Sequence, residues 1–162
     1  VPASRIAAGY DTVSVCLSKG LGAPVGSVLV GRADLITEAR RWRKMVGGGM
    51  RQAGVLAAGG LHALDHHIDR LADDHRRAVE LEAGLNLIEG VTLTSRATNM
   101  VFATVDVPTD RIDSFNKVLA DAGVVVRGGP SYRLVTHLDI DDAGVAVAVD
   151  AFTQAITLSG SR

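Results

Sequence analysis

An α/β fold is predicted for this chain, and three observations predict it. β-Branched runs at 12–17 and 25–30 read as strands. Apolar residues then recur at helical spacing from about 34 to 87. After Gly90 short strands and helices alternate to the end.

The elements follow in order. Residues 12–17, Thr-Val-Ser-Val-Cys-Leu, read as a buried strand. Ser18-Lys19-Gly20-Leu21-Gly22-Ala23-Pro24 breaks any regular element, and 25–30 form a second strand ended by Gly31. A helix is expected over 34–46, where Leu35, Ile36, Ala39, Trp42 and Met45 or Val46 recur at helical spacing, and Gly47-Gly48-Gly49 stops it. A second helix, about 51–64, is rich in small residues and suited to close packing on neighbouring backbone. A third, 68 to about 87, carries Leu71, Val79, Leu81 and Leu85 and is charged on one face, which predicts a surface position.

Beyond Gly90, 91–94 and 100–105 read as strands. A helix over 110–122 points Ile112, Phe115, Val118 and Leu119 inward, with Thr109 as its N-cap and Gly123 as its C-cap. Strands at 124–126 and 132–135 flank the turn Arg127-Gly128-Gly129-Pro130-Ser131. A last helix spans 141 to about 158, and 159–162 are expected to fray. The order is two strands and three helices, then a β-β-α-β-β-α unit, with a boundary between 65 and 90.

Composition bounds the function. At 47% hydrophobic residues, the chain can bury a globular core. With 17 basic against 18 acidic residues there is no electrostatic reason to expect nucleic acid or an anionic membrane, the cluster Arg40-Arg41-Trp42-Arg43-Lys44 aside. The apolar stretches are interrupted by Gly or charge short of the roughly 20 residues that span a bilayer. One cysteine, Cys16, cannot form an internal disulfide, so a reducing cytoplasmic setting is expected; in the strand it reads as a small core residue. The chain opens Val-Pro-Ala-Ser-Arg, with neither an initiator Met nor a basic-then-apolar leader, and is expected to be a piece of a longer polypeptide.

Four places could carry chemistry. Lys19 lies at the end of an apolar strand in a Gly-rich turn. Such a lysine can hold an aldehyde cofactor if its amine is partly desolvated; otherwise it is a solvent-facing loop residue. Arg133 alternates with Tyr132, Leu134 and Thr136, so it faces away from them. It is either an exposed-face residue or a bidentate carboxylate binder. Lys44 and Arg51 flank the triple glycine, whose N–H groups could approach an anion; the alternative is a flexible helix connection. His62 and His66 are four apart but lack an evident third ligand, and position 63 is Ala, so no metal site is expected.

Together these pieces resemble a known family. Residues 14–27, from Ser-Val-Cys-Leu-Ser-Lys19-Gly-Leu-Gly to Pro24-Val-Gly-Ser, are similar to the cofactor-lysine segment of low-specificity L-threonine and L-allo-threonine aldolases. Arg41-Trp42-Arg43-Lys44-Met45 with Gly47-Gly48-Gly49-Met50-Arg51-Gln52 resembles the segment that follows there. Arg133-Leu134-Val135-Thr136-His137-Leu138-Asp139 resembles the C-terminal carboxylate-binding segment, and the three stand in the family's order.

The resemblance implies the aspartate-aminotransferase-like fold of type I pyridoxal-phosphate (PLP) enzymes. Residues 1–66 would be the end of the PLP-binding large domain. Residues 67–162 would be a connecting helix and the small C-terminal α/β domain. Lys19 would be the Schiff-base lysine. Lys44 and Arg51 would lie near the cofactor, reaching the phosphate in a neighbouring subunit, and Arg133 would hold the substrate carboxylate. The activity implied is cleavage of L-threonine or L-allo-threonine to glycine and acetaldehyde by a homo-oligomer, a dimer of dimers. The rivals are a β-eliminating lyase, a serine hydroxymethyltransferase-like enzyme, or a non-catalytic remnant. The family chain is about twice as long. The ring-stacking residue, the pyridine-pairing Asp and the phosphate loop would lie in its other half, so this chain is expected to be inactive alone.

Overall fold

A computed structural model describes residues 1–160. They form two compact units that divide between Asp69 and Arg70.

The first unit opens with a short helix, α1 (Ala3–Ala7), which the sequence reading did not anticipate. Strands β1 (Thr12–Cys16) and β2 (Ser27–Gly31) pair antiparallel, with Thr12 opposite Gly31 and Cys16 opposite Ser27. The strand at 12–17 was expected to be buried, yet nearly every residue of β1 and of β2 is exposed; Val28, Leu29 and Val30 keep more than 40% of their surface. Cys16, read as a core residue, is exposed too and accepts a hydrogen bond from Ser27 Oγ. The cause is the two-stranded sheet, which among the described residues is joined by no further strand. Helices α2 (Ala33–Met45) and α3 (Gly54–His66) follow. On α2 the predicted apolar stripe is only half-buried at Leu35 and Ile36, and Trp42 and Met45 are exposed. The buried cluster of this unit is small: Leu17, Ala23 and Ala63.

The second unit is built around a real core. Helix α4 (Leu71–Leu85) precedes the sheet β3 (Val91–Ala97), β4 (Met100–Val105) and β5 (Ser131–Val135). Its order is β3-β4-β5, all antiparallel. Helices α5 (Ile112–Asp121) and α6 (Asp142–Gly160) complete it. Phe115, Tyr132 and Phe152 pack as an aromatic triad, with ring centroids 5.7 to 6.0 Å apart, among Leu85, Leu119 and Val101.

Several expectations change here. Helix α4 lies at the surface as expected, with its charged side exposed and Asp74, Ala78, Leu81 and Leu85 buried on the other; Val79, read with its apolar residues, is exposed. Residues 124–126 form no strand, so β5 keeps an open edge. Thr109 lies in a 3-10 turn (Thr109–Arg111) instead of capping α5, and Arg111 at the N-cap position makes no side-chain cap. Gly123 does take the left-handed conformation just past α5, with φ +85°. Residues 159 and 160 are helical, and 161–162 lie outside the described residues. Helix α6, capped by Asp141 Oδ1 accepting from the Gly144 N–H at 2.7 Å, is by length and composition apolar enough to cross a membrane. Gly144 and Asp150 interrupt its apolar run, yet the helix continues through both. In this unit Val145, Ala151, Phe152 and Ala155 of α6 lie in the core.

Candidate functional site

Lys19 sits in the link between β1 and β2. Its backbone is closed by its own hydrogen bonds: Leu17 N donates to Gly26 O (3.0 Å), Ala23 N to Leu17 O (3.0 Å) and Gly22 N to Lys19 O (2.8 Å). Gly22, at φ +68°, and Gly26, at φ +114°, supply the left-handed backbone this path needs.

The turn is seated on α3. An added Cβ would fall 2.9 Å from Pro24 Cδ at Gly59, and 3.0 Å from Leu17 Cδ1 at Gly60. The expectation that a helix of small residues packs closely on its neighbour holds here, and these two glycines carry it. His67, just past α3, adds a hydrogen bond of 2.6 Å to the Leu21 carbonyl. The sequence reading weighed only His62 and His66. No local pattern in the sequence signals His67, because its partner lies 46 positions away.

The Lys19 side chain is exposed and, among the described residues, has no ion pair or hydrogen bond. The described residues around Lys19 therefore do not supply the desolvation expected of a cofactor lysine. His62 and His66 stack, with ring centroids 4.3 Å apart, and His66 Nδ1 lies 2.9 Å from the His62 carbonyl oxygen. Among the described residues no group of three or more His, Cys, Asp or Glu is placed to hold a metal ion.

At the end of α2, Gly47 is left-handed at φ +91°. The Gly47 N–H donates to Lys44 O at 3.1 Å and the Gly48 N–H to Arg43 O at 2.7 Å. Two of the three glycine donors thus close the helix; for the third, the Gly49 N–H, no protein acceptor is found among the described residues. Lys44 folds back over Gly49, where an added Cβ would lie 2.6 Å from Nζ. Arg51 is exposed in the link to α3, followed by Gln52 in the left-handed region at φ 52°. Lys44 and Arg51 therefore flank the glycines, as their spacing predicts.

Arg133 belongs to the second unit. Tyr132, Leu134 and Thr136 are buried and Arg133 and Val135 are exposed, which is the alternation expected of this strand. Arg133 lines a cavity of about 390 Å³ at the open edge of β5, with Val124, Val126, His137, Ile140 and Val147 among its walls. The end of β5 is clamped by Asn99 at the tip of the β3–β4 hairpin: Asn99 O accepts from Thr136 N (3.0 Å) and Asn99 Nδ2 donates to Thr136 O (2.7 Å). The Thr136 hydroxyl donates to the Asp74 carbonyl at 2.6 Å. Asp74 itself is buried and paired with Arg70. Burial raises the Tyr132 phenol above its ordinary value, and its hydroxyl donates to Asn116 Oδ1 at 2.8 Å.

A family profile described as beta-eliminating lyase matches residues 1–108, two thirds of the chain. The chain belongs to the beta-eliminating lyase family. Within that family it is a homologue of low-specificity L-threonine aldolases. It is 45% identical over 130 residues to the low specificity L-threonine aldolase of Escherichia coli K12, covering 80% of this chain and 38% of that protein. It is 41% identical over 161 residues to low-specificity L-threonine aldolase 1 of Arabidopsis thaliana, covering 96% and 45%. The chain thus spans less than half the length of these curated relatives.

In fold, it superposes on serine palmitoyltransferase from Sphingomonas wittichii with a TM-score of 0.77 at 19% identity, covering 97% of this chain and 42% of that one. A PLP-dependent aminotransferase from Streptococcus suis gives 0.69 at 15% identity, covering 94% and 44%. The chain has the α/β architecture of part of the type I PLP-dependent fold. Its residues fit such a cofactor. The free Lys19 amine stands on a turn whose backbone is already satisfied, and Lys44 and Arg51 offer cations beside a helix end where side-chain bulk is missing.

Proposed function

We propose that this chain carries the cofactor lysine and the carboxylate-binding arginine of a PLP-dependent L-threonine aldolase, which cleaves a β-hydroxy-α-amino acid to glycine and an aldehyde. The observation that carries the reading is the Lys19 turn. It is closed by backbone bonds and seated on α3, with its amine unpaired, in a chain about 40% identical to threonine aldolases.

Lys19 would hold the cofactor covalently through its amine. Bound there, PLP supplies the electron sink that takes up the pair released when the Cα–Cβ bond breaks. Arg133 would orient the amino acid by gripping its carboxylate with the planar guanidinium fork, and the apolar wall of Val124, Val126 and Ile140 would keep water from that pair. Lys44 and Arg51 would pair with the cofactor phosphate. We place these residues in a homo-oligomer in which that phosphate belongs to a neighbouring subunit, and in a reducing, cytoplasmic compartment, which the exposed Cys16 thiol suits. Desolvation of Lys19 would come from polypeptide beyond these residues, so the 162-residue chain alone should be inactive.

Two variants in the protein expressed from its full reading frame test the reading. Lys19→Ala should abolish both threonine cleavage and the borohydride-trapped PLP adduct; a mutant that still traps PLP at parental stoichiometry overturns the assignment. Arg133→Lys keeps the charge but loses the fork. It should raise KM for L-threonine about tenfold or more while PLP binding stays within about twofold. Unchanged kinetics would make Arg133 a surface residue. A beta-eliminating activity is the rival that the family match itself raises. Acetaldehyde plus glycine from L-threonine supports the aldolase, whereas ammonia plus a keto acid supports the rival.

A further inference from the structure

The turn that carries Lys19 touches α3 at three points of two kinds. Leu17 and Pro24, at its two ends, meet Gly60 and Gly59 through apolar atoms alone. Such contacts set how far the turn stands from the helix. They carry no direction, so the turn could still tilt about the line joining its two ends. The third contact is directional. His67 Nδ1 lies 2.6 Å from the carbonyl oxygen of Leu21, between those ends and 46 positions away in sequence. A carbonyl only accepts, so Nδ1 carries the proton and donates. The neighbouring Gly22 N–H donates to Lys19 O at 2.8 Å, which ties the Lys19 peptide to the peptide that His67 holds.

We propose that His67 is a positioning residue for Lys19: by donating its Nδ1–H to the Leu21 carbonyl it sets the tilt of the turn and so the direction in which the lysine amine is presented. The proposal rests on Lys19 being the cofactor lysine. His67 touches neither substrate nor cofactor in this account, and its effect passes through backbone.

The test uses His67→Ala, His67→Asn and His67→Gln in the protein expressed from its full reading frame. The Asn amide nitrogen falls where Nδ1 was, while that of Gln reaches toward the position of Nε2. Three readouts apply: amide hydrogen exchange of residues 20–23, the rate at which a borohydride-trapped PLP adduct forms on the Lys19 peptide, and kcat and KM for L-threonine. His67→Ala should speed exchange in the turn and slow adduct formation about tenfold, the loss expected for one directional hydrogen bond. It should lower kcat while leaving KM within about twofold, because Arg133 is untouched. His67→Asn should restore most of the loss and His67→Gln little of it.

The proposal is overturned if His67→Ala matches the parent in exchange and adduct rate, or if Asn and Gln rescue equally, which would show that bulk and not Nδ1 matters. A parent protein that traps no PLP at Lys19 overturns the lysine reading and takes the proposal with it. A parent that traps PLP normally beside an unaffected His67→Ala sinks the proposal alone.

Discussion

The two units of this chain solve the same problem with unequal means. The second closes three strands and three helices over a core containing Phe115, Phe152, Leu85 and Leu119, all fully buried. The first has three buried apolar residues, Leu17, Ala23 and Ala63, and leaves the valines and leucine of its two strands in solvent. Yet the first carries Lys19, Lys44 and Arg51. Its order is concentrated in one turn and one helix, through two glycine contacts, a histidine hydrogen bond and backbone closure. A turn can thus be well defined locally inside a unit whose own hydrophobic burial is small.

The largest effect that would sharpen this contrast is cavity formation. Phe152→Ala in the second unit should cost about 3–5 kcal/mol, because a fully buried aromatic side chain is removed from among two other rings. Trp42→Ala on α2, where the ring is 55% exposed and donates a hydrogen bond to Glu38, should cost under about 1 kcal/mol. Urea melts of the two variants check this, and equal losses would erase the distinction between the units.

A smaller effect compares two helical glycines. A Cβ at Gly84 would lie 2.5 Å from Val149 Cγ2, where α4 crosses α6, so Gly84→Ala should destabilise by about 1–3 kcal/mol. Gly54, the first residue of α3, has open space around it and no positive φ, so Gly54→Ala should stabilise by up to about 1 kcal/mol. Thermal melts of the pair should move in opposite directions. A gain at Gly84 would mean that the crossing is loose.

The smallest effect is electrostatic. Hydrogen bonds from Arg77 and Arg76 hold the Asp142 carboxyl below its ordinary value and raise both guanidinium groups, fastening α4 to the start of α6. A carboxyl lowered on folding stabilises above its unfolded value, about 3.9, and that contribution fades as pH falls through the lower folded value. The Tm difference between the parent and Asp142→Asn should therefore be small at pH 7, shrink further in high salt, and disappear in strong acid. A difference that grows on acidification would reverse the assignment.

Much of this was legible in the sequence alone. The helical spacing in 34–46 and 110–122, the strand alternation around Arg133 and the Gly123 cap are local patterns, set by side-chain periodicity and backbone freedom within a few residues. The order of the motifs around Lys19, Lys44 and Arg133 likewise identified the family from residues alone. Burial in the first unit was not legible. The apolar runs at 12–17 and 25–30 look the same whether or not other strands flank them. Nor could periodicity show that Gly59, Gly60 and His67 meet a turn some 40 residues earlier. The sequence by itself determined which segments would coil or extend and which chemistry they could carry. Only the tertiary structure decided which faces lose water and which distant groups meet, because both depend on contacts between segments that no local pattern encodes.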